Sequence, residues 1–558
     1  MELQTPHPGL TGPLPPPSAE VAGEARARAA ARRPRRIESL VLLVVFTGAY
    51  AILGVHVIGV NHVIVFDAID HLSRAYMVWW NAPPKLAAVG FDYPPATTLV
   101  FLPVALIKPL ATSLVGLALT SAVFAGLTIV VLNNVLARCE VPRAARVVLL
   151  VLFGVNPLWA FYASNGMSEV VYGFFLTLAL SGFISWYLTD QARFLVGSGI
   201  SLGLLVLTDY DLGTVAIVLA VMVAAVLYRR RASSAEVEGW VSALLAPVVY
   251  ALVVWTMFNL LIVGSAFGWL RDSTTLAVNS DHATPHLTPT LANVVSDTGT
   301  VLTGVTPIVL VAVALLVLAF LGRRSVMALA LAALVAFNVV VFAANAFIAD
   351  SLGALLLGNS IPLMLVGVIG AAWAYRTAGS LRPLALLAIG AALAVSIPLA
   401  WHQMQTYPYQ NQEQAFARAL SKGGNLTGTT SLGGFRVGVQ PEQQMAAYLN
   451  SHIHSPNRSV LADNAQTFGV ILLSGRPGTI FNRIDEGDAV WRSVRSDPYG
   501  RVRYLLIDTQ AKDDLIRERY PFAASGADEP YLTPVFTTTP ARYTLVRVAP
   551  KGPAERAR

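Results

Sequence analysis

Eleven apolar runs, each long enough or nearly long enough to cross a bilayer, dominate this chain: residues 37–60, 112–136, 143–163, 169–188, 194–208, 212–228, 238–263, 299–321, 325–347, 352–374 and 383–401. A water-soluble core cannot absorb that much apolar surface, whereas a helical bundle in lipid requires it, because each segment must satisfy its own backbone hydrogen bonds there. The composition agrees, with 55% hydrophobic and only 13% charged residues among 558. The fold expected is therefore an all-α polytopic membrane bundle of about eleven transmembrane helices, followed by a soluble α/β domain.

The basic residues sort the turns between runs. Residues 1–36 are rich in Pro, Ala and Arg, end in Arg32, Arg33, Arg35 and Arg36, and read as a disordered basic cytoplasmic tail. With that tail inside, alternate turns carry Arg138, Arg143 and Arg146, then Arg193, then Arg229 to Arg231, then Arg323 and Arg324, then Arg376 and Arg382. The opposite turns collect Asp67, Asp70, Asp92, Glu169, Asp209, Asp211, Asp272 and Asp350. This alternation predicts a multi-pass protein of the cell inner (plasma) membrane with a cytoplasmic amino terminus. The run 37–60 is long enough to span, so it reads as a retained helix rather than a signal peptide. The net charge of +7 resides in these orientation signals, which argues against a nucleic-acid partner. A single cysteine, Cys139, excludes an intramolecular disulfide.

After residue 402 the composition becomes that of an ordinary soluble protein, so residues 37–402 are expected to form the membrane domain and 403–558 an extracytoplasmic α/β domain. Periodicity predicts helices over 443–452, 465–473, 489–495 and 513–519, strands over 459–462, 479–481 and 502–508, and two strands within 535–548 around Pro540-Ala541. No catalytic motif stands out in this part, and its expected role is to shape or recognise an acceptor.

The first outer loop, 61–96, carries the chemistry. Asp67, Asp70, His71 and Arg74 recur at i, i+3, i+4 and i+7, one stripe of a helix whose remaining residues include Trp79 and Trp80 and suit a membrane interface. Asp92 then precedes the paired prolines Pro94-Pro95. A carboxylate at the membrane surface can take the proton of an acceptor hydroxyl, and Arg74, Lys85 or Arg271 can neutralise a departing phosphate. Arg74 also stands at i,i+4 from Asp70, the spacing of a helical salt bridge. The pair His282 and His286 lies near Asp281, but Pro285 and Pro289 break the helix a metal pair needs, and no metal ligands are assigned.

Three stretches resemble a known family. Phe66-Asp67-Ala68-Ile69-Asp70-His71-Leu72-Ser73-Arg74-Ala75, with Leu86-Ala87-Ala88-Val89-Gly90 and Tyr93-Pro94-Pro95, resembles the first-loop signature of the GT-C superfamily of membrane glycosyltransferases, which use sugars carried on polyprenyl phosphate and include protein O-mannosyltransferase-like and aminoarabinose-transferase-like members. Asn156-Pro157 with Tyr162 to Glu169 resembles an outer turn of that family, and Gly264 to Leu270 its segment after the seventh span. The resemblance implies that Asp67 is the catalytic base and Asp92 a second catalytic acid, with Asp70, His71, Arg74, Lys85, Tyr93, Asn165, Glu169 and Arg271 as candidate substrate contacts. It implies a lipid-linked sugar donor, an envelope glycan, lipid or protein acceptor, and contact with membrane lipids, while leaving a divalent cation open as cofactor. The chain departs from the family pattern at Ala68, where a second acid would stand, and at Gly358-Asn359-Ser360-Ile361-Pro362, which lacks an Arg-Tyr pair. A secondary transporter or lipid flippase, and a non-catalytic envelope scaffold retaining the fold, are the alternative functions.

Overall fold

The computed structural model describes residues 19–91, 94–267, 269, 288–409, 412–423, 438–454, 457–486, 488–511, 513–527 and 531–550. Among these, seven helices are long and apolar enough to span a bilayer: 37–59, 115–138, 169–189, 234–262, 326–348, 358–377 and 379–406. The pair Leu291–Gly304 and Pro307–Arg323 adds an eighth only if its 88° bend is taken within one span. Pro307 stands at the start of the second of these helices, where its missing N–H costs nothing but prevents the first helix from running on.

These helices account for eight of the eleven expected runs, and the other three are helical but shorter or divided. The run 143–163 is divided into Arg143–Gly154 and Pro157–Tyr162, with Asn156 capping the second piece through bonds from the backbone N–H groups of Leu158 and Trp159. Runs 194–208 and 212–228 are helices of 15 and 17 residues. The protein is a multi-pass membrane protein built on this helical bundle.

The basic turns meet at one end of the bundle. Glu38 accepts from Arg146 at 2.8 Å and Arg143 at 3.0 Å, and Glu140 pairs with Arg376 at 3.0 Å and Arg382 at 2.8 Å. Turns far apart in sequence are joined there, as the alternation of charge requires.

At the other end, proline-started short helices, Pro95–Leu99, Leu102–Ala105 and Lys108–Thr112, carry the chain from the outer loop back to the bundle. The outer loop itself is helical over Phe66–Trp80. An interfacial helix was expected here; instead most of its non-ionisable face is enclosed by protein, with Ala68, Leu72 and Tyr76 fully buried and only Trp79 strongly exposed. The covering partner is the carboxy-terminal segment, to which Ser73 donates at the carbonyl of Phe468 (2.9 Å) and Tyr76 at that of Gly475 (3.1 Å).

That segment holds a five-stranded sheet: β1 (Val460–Ala462), β2 (Ile480–Phe481), β3 (Tyr504–Asp508), β4 (Leu532–Thr537) and β5 (Tyr543–Val548), in the order β2-β1-β3-β5-β4. β1 runs parallel to both β2 and β3, whereas β5 is antiparallel to β3 and β4. Central strands covered on both faces need continuous apolar runs, which Val460-Leu461-Ala462 and Leu505-Leu506-Ile507 supply; the edge strand β4 alternates buried with more exposed positions instead. Met77, Val78, Ala88 and Val89 of the outer loop share one apolar core with Met445, Leu449, Ile471 and Leu545 of this segment.

Candidate functional site

The site forms where the first turn of helix Phe66–Trp80 meets the end of the bundle opposite the basic turns. Its backbone is packed closely because two glycines permit it. Gly166 has a positive φ of 88°, and a Cβ there would lie 2.8 Å from the side chain of Leu117 and 3.2 Å from Ala68. Gly90, at φ 84°, lies against Arg74 so tightly that a Cβ would come within 2.0 Å of its guanidinium.

Asp67 remains open to water on its own surface, yet protein surrounds it at longer range, as in the floor of a recess. That burial, with the charge of Asp70 second, pushes its carboxyl up to about 6. The neighbouring stripe residues are committed differently. Arg74 Nε donates to Asp70 Oδ2 at 2.7 Å, the i,i+4 salt bridge, with both side chains largely buried. His71 Nδ1 lies 3.2 Å from Thr98 Oγ1 and 3.3 Å from Thr97 Oγ1, joining the helix to the turn after Pro94-Pro95. Burial pulls the His71 imidazole down to about 4, Asp70 opposing and Arg74 reinforcing, so the ring is neutral at pH 7.

The candidate substrate contacts divide into three groups. Asp67, Asp70 and Glu169 gather at the recess, and Glu169 lies within electrostatic reach of Asp67, Asp209 and Glu413. Lys85 is turned away, its Nζ donating to the carbonyl of Ile484 at 3.3 Å, and Asn165 caps its own turn by accepting from the N–H of Met167 at 2.9 Å. Asp92, Tyr93 and Arg271, like His282 and His286, lie outside the described residues.

Sequence reasoning missed two carboxylates that the fold brings in. Asp209, in the short turn after Leu207, has its carboxyl pushed up to about 6 by burial and then by Asp211, with the N–H of Asp211 at 3.0 Å opposing the shift. Glu413, fully buried, accepts a short hydrogen bond from the hydroxyl of Tyr162. Asp209 carried a signal, an acid between two apolar runs. Glu413 carried none, because its approach to Tyr162 spans 251 positions of sequence. Among the described residues no three His, Cys, Asp or Glu side chains are disposed to hold a metal ion.

Beside the recess runs an apolar groove of about 570 Å³, lined by residues including Leu86, Phe91, Leu207, Pro247, Trp255 and Phe258. Its upper wall connects to the site directly: Phe91 stacks on Trp255 at 5.0 Å, Trp255 Nε1 donates to the Tyr210 hydroxyl at 2.8 Å, and the N–H of Ala96 donates to the carbonyl of Leu207 at 2.9 Å. The arrangement gathers an accessible carboxylate of raised proton affinity with further acids, and the groove is joined to them through Phe91 and Ala96 on one segment and Leu207 and Tyr210 on another.

No protein-family model matches the chain, and no curated protein matches it. Among solved structures it is similar to ArnT from Cupriavidus metallidurans bound to undecaprenyl phosphate, at 11% identity and a TM-score of 0.49 over 90% of this chain and 97% of that one. It is also similar to the archaeal oligosaccharyltransferase AglB from Archaeoglobus fulgidus in complex with an inhibitory peptide and a dolichol-phosphate, at 14% identity and a TM-score of 0.40 over 85% of this chain and 70% of that one. At identities this low and TM-scores below 0.5, no assignment of function rests on them.

Proposed function

We propose that this protein is an inverting membrane glycosyltransferase, moving a sugar such as mannose or arabinose from a polyprenyl-phosphate donor to an envelope glycan, lipid or protein acceptor on the extracytoplasmic side. The observation that carries this reading is Asp67, a solvent-reachable carboxylate of raised proton affinity, on a helix joined through His71 to Thr97 and Thr98 of the turn that supplies Pro95 and Leu99 to an apolar groove sized for part of a long hydrocarbon chain. The resemblance of the first loop to the GT-C superfamily points the same way.

In the proposed reaction the prenyl chain lies in the groove, with its phosphate and sugar at the recess. The acceptor hydroxyl oxygen attacks the anomeric carbon, the bond from that carbon to the phosphate oxygen breaks, and the electron pair leaves with the lipid phosphate. Asp67 takes the proton of the attacking hydroxyl. A carboxyl with an affinity near pH 6 is mostly ionised at pH 7 and holds a proton better than an ordinary aspartate. Of the cations expected to face the departing phosphate, Arg74 is held by Asp70 and Lys85 by the carbonyl of Ile484.

Two polar residues of the later spans fill their own helices rather than a shared cavity. Asn259 and Asn338 donate to carbonyls of their own helices, Trp255 at 3.0 Å and Leu334 at 2.8 Å, as residues filling a helix face do.

The deciding experiment offers the purified protein, in nanodiscs, a panel of polyprenyl-phosphate sugars together with extracted envelope glycolipids. A covalent product formed by wild type and lost in Asp67→Asn supports the proposal. Substrate movement into sealed vesicles without a covalent product favours a transporter.

A further inference from the structure

The helix bearing Asp67 begins without a side-chain cap. Its first residue is Phe66, its second Asp67, and the preceding Val65 makes no side-chain capping bond. Buried Val63, Ile64 and Val65 hold the chain that enters the first turn, and the carboxy-terminal segment adds a contact to the Phe66 ring itself. Arg542 places its guanidinium carbon 4.9 Å from the centre of the Phe66 ring, and the ring of Phe468 meets Phe66 edge-on at 6.0 Å and 74°.

Arg542 is itself immobilised. Its Nε donates to Asp508 Oδ2 at 2.9 Å, Nη1 donates to Glu442 Oε1, and the hydroxyl of Tyr543 donates to the same Glu442 oxygen at 3.1 Å. Both carboxylates are fully buried and Arg542 is 4% exposed. Such an ion cluster carries a desolvation cost that an apolar filling of the same volume avoids, so stability alone gives a weak reason for it. It does fix a planar cation in one orientation with a face turned to an aromatic ring. Phe468 acts twice, its ring against Phe66 and its carbonyl accepting from Ser73 about two turns along the same helix.

We infer that Arg542 and Phe468 are positioning residues for Asp67, setting its carboxylate through the Phe66 ring that they grip. The sheet-bearing segment is then part of the catalytic apparatus as well as a recogniser of acceptor. The inference rests on Asp67 acting as base, and the test below separates its failure from the failure of that reading.

The variants are Arg542→Lys, which keeps a charge for Asp508 and Glu442 but loses the planar face, and Phe66→Leu, which leaves the ion cluster intact. In the full-length protein carrying Cys139→Ser and Asp67→Cys, labelling by a water-soluble maleimide reports the setting of position 67 without any transfer chemistry. Each variant is expected to change the labelling rate by roughly threefold or more, since thiol reactivity follows local exposure and field. Arg495→Lys, on the far side of the segment against Leu515 and Glu518, should leave it unchanged. In the background with Asp67 intact, kcat should fall roughly tenfold with KM for the donor unmoved, as expected for a misplaced base rather than lost binding.

Unchanged labelling in both folded variants overturns the inference whatever the transfer assay gives. Should Arg542→Lys fail to fold, Phe66→Leu and Phe468→Leu decide the matter alone. Altered labelling in a protein whose wild type transfers no sugar from any donor sustains the positioning contact and removes the transferase reading.

Discussion

The two ends of the helical bundle treat charge in opposite ways. At the basic end Glu38 is held by Arg146, Arg143 and Asn133, Glu140 by Arg376 and Arg382, and Asp190 by Arg230. At the other end Asp67, Glu169, Asp209 and Glu413 converge, with Arg74 already engaged by Asp70. Paired charges at the first end tie turns together, whereas acids gathered at close range are held at a cost in solvation. The comparison separates a structural end from a chemical one.

The largest effect should come from the chemical end. Asp67→Asn is expected to lower kcat/KM for sugar transfer by roughly 10²–10⁴-fold, the range of a lost general base, with the yield of folded protein unchanged. Full residual activity in a folded variant would remove Asp67 from that role. Next comes the pH dependence. In the proposed reaction Asp67 acts ionised, and with its carboxyl raised to about 6, kcat/KM should fall about tenfold per pH unit below pH 6 and level off above it. An acid limb centred near pH 4 would place the ionisation on an ordinary exposed aspartate.

The basic end should respond in stability instead. Glu38→Gln leaves Arg146 without its carboxylate in a buried site, and a loss on the order of 2–4 kcal/mol is expected, read as a lower Tm in detergent, with activity per folded molecule retained. A loss of turnover at unchanged Tm would erase the distinction between the ends. The smallest effect concerns His71. Its imidazole is pulled down to about 4 and is neutral across the acid limb, so His71→Gln should leave the limb's midpoint in place. A displaced midpoint would show that His71 shares the titration.

Much of the architecture was legible because it depends on local pattern. Strands β1, β3 and β5 fall within one or two residues of the positions expected from their apolar runs, as do the helices Asn464–Ser474 and Asp488–Ser496. The stripe of Asp67, Asp70, His71 and Arg74 lay on a helix as its spacing required, and the salt bridge at i,i+4 formed. What covers the other face of that helix was not legible. Residues such as Ser73 and Tyr76 suit a membrane interface and a protein contact equally well, and only the arrival of Phe468 and Gly475 from nearly 400 positions away distinguishes them.

The sequence by itself determined that this chain lives in a membrane, which turns share an end, and where the outer-loop helix and most strands begin, because hydropathy, charge alternation and periodicity act over windows of a few to about twenty residues. Tertiary structure alone decided that the expected spans divide at Asn156 and Pro307, and that the sheet takes the order β2-β1-β3-β5-β4. It also brought Asp209 and Glu413 to the recess and gave the Asp67 helix a contact with Arg542. Burial and the meeting of charges depend on which distant segments pack together, and no local window of sequence contains that information.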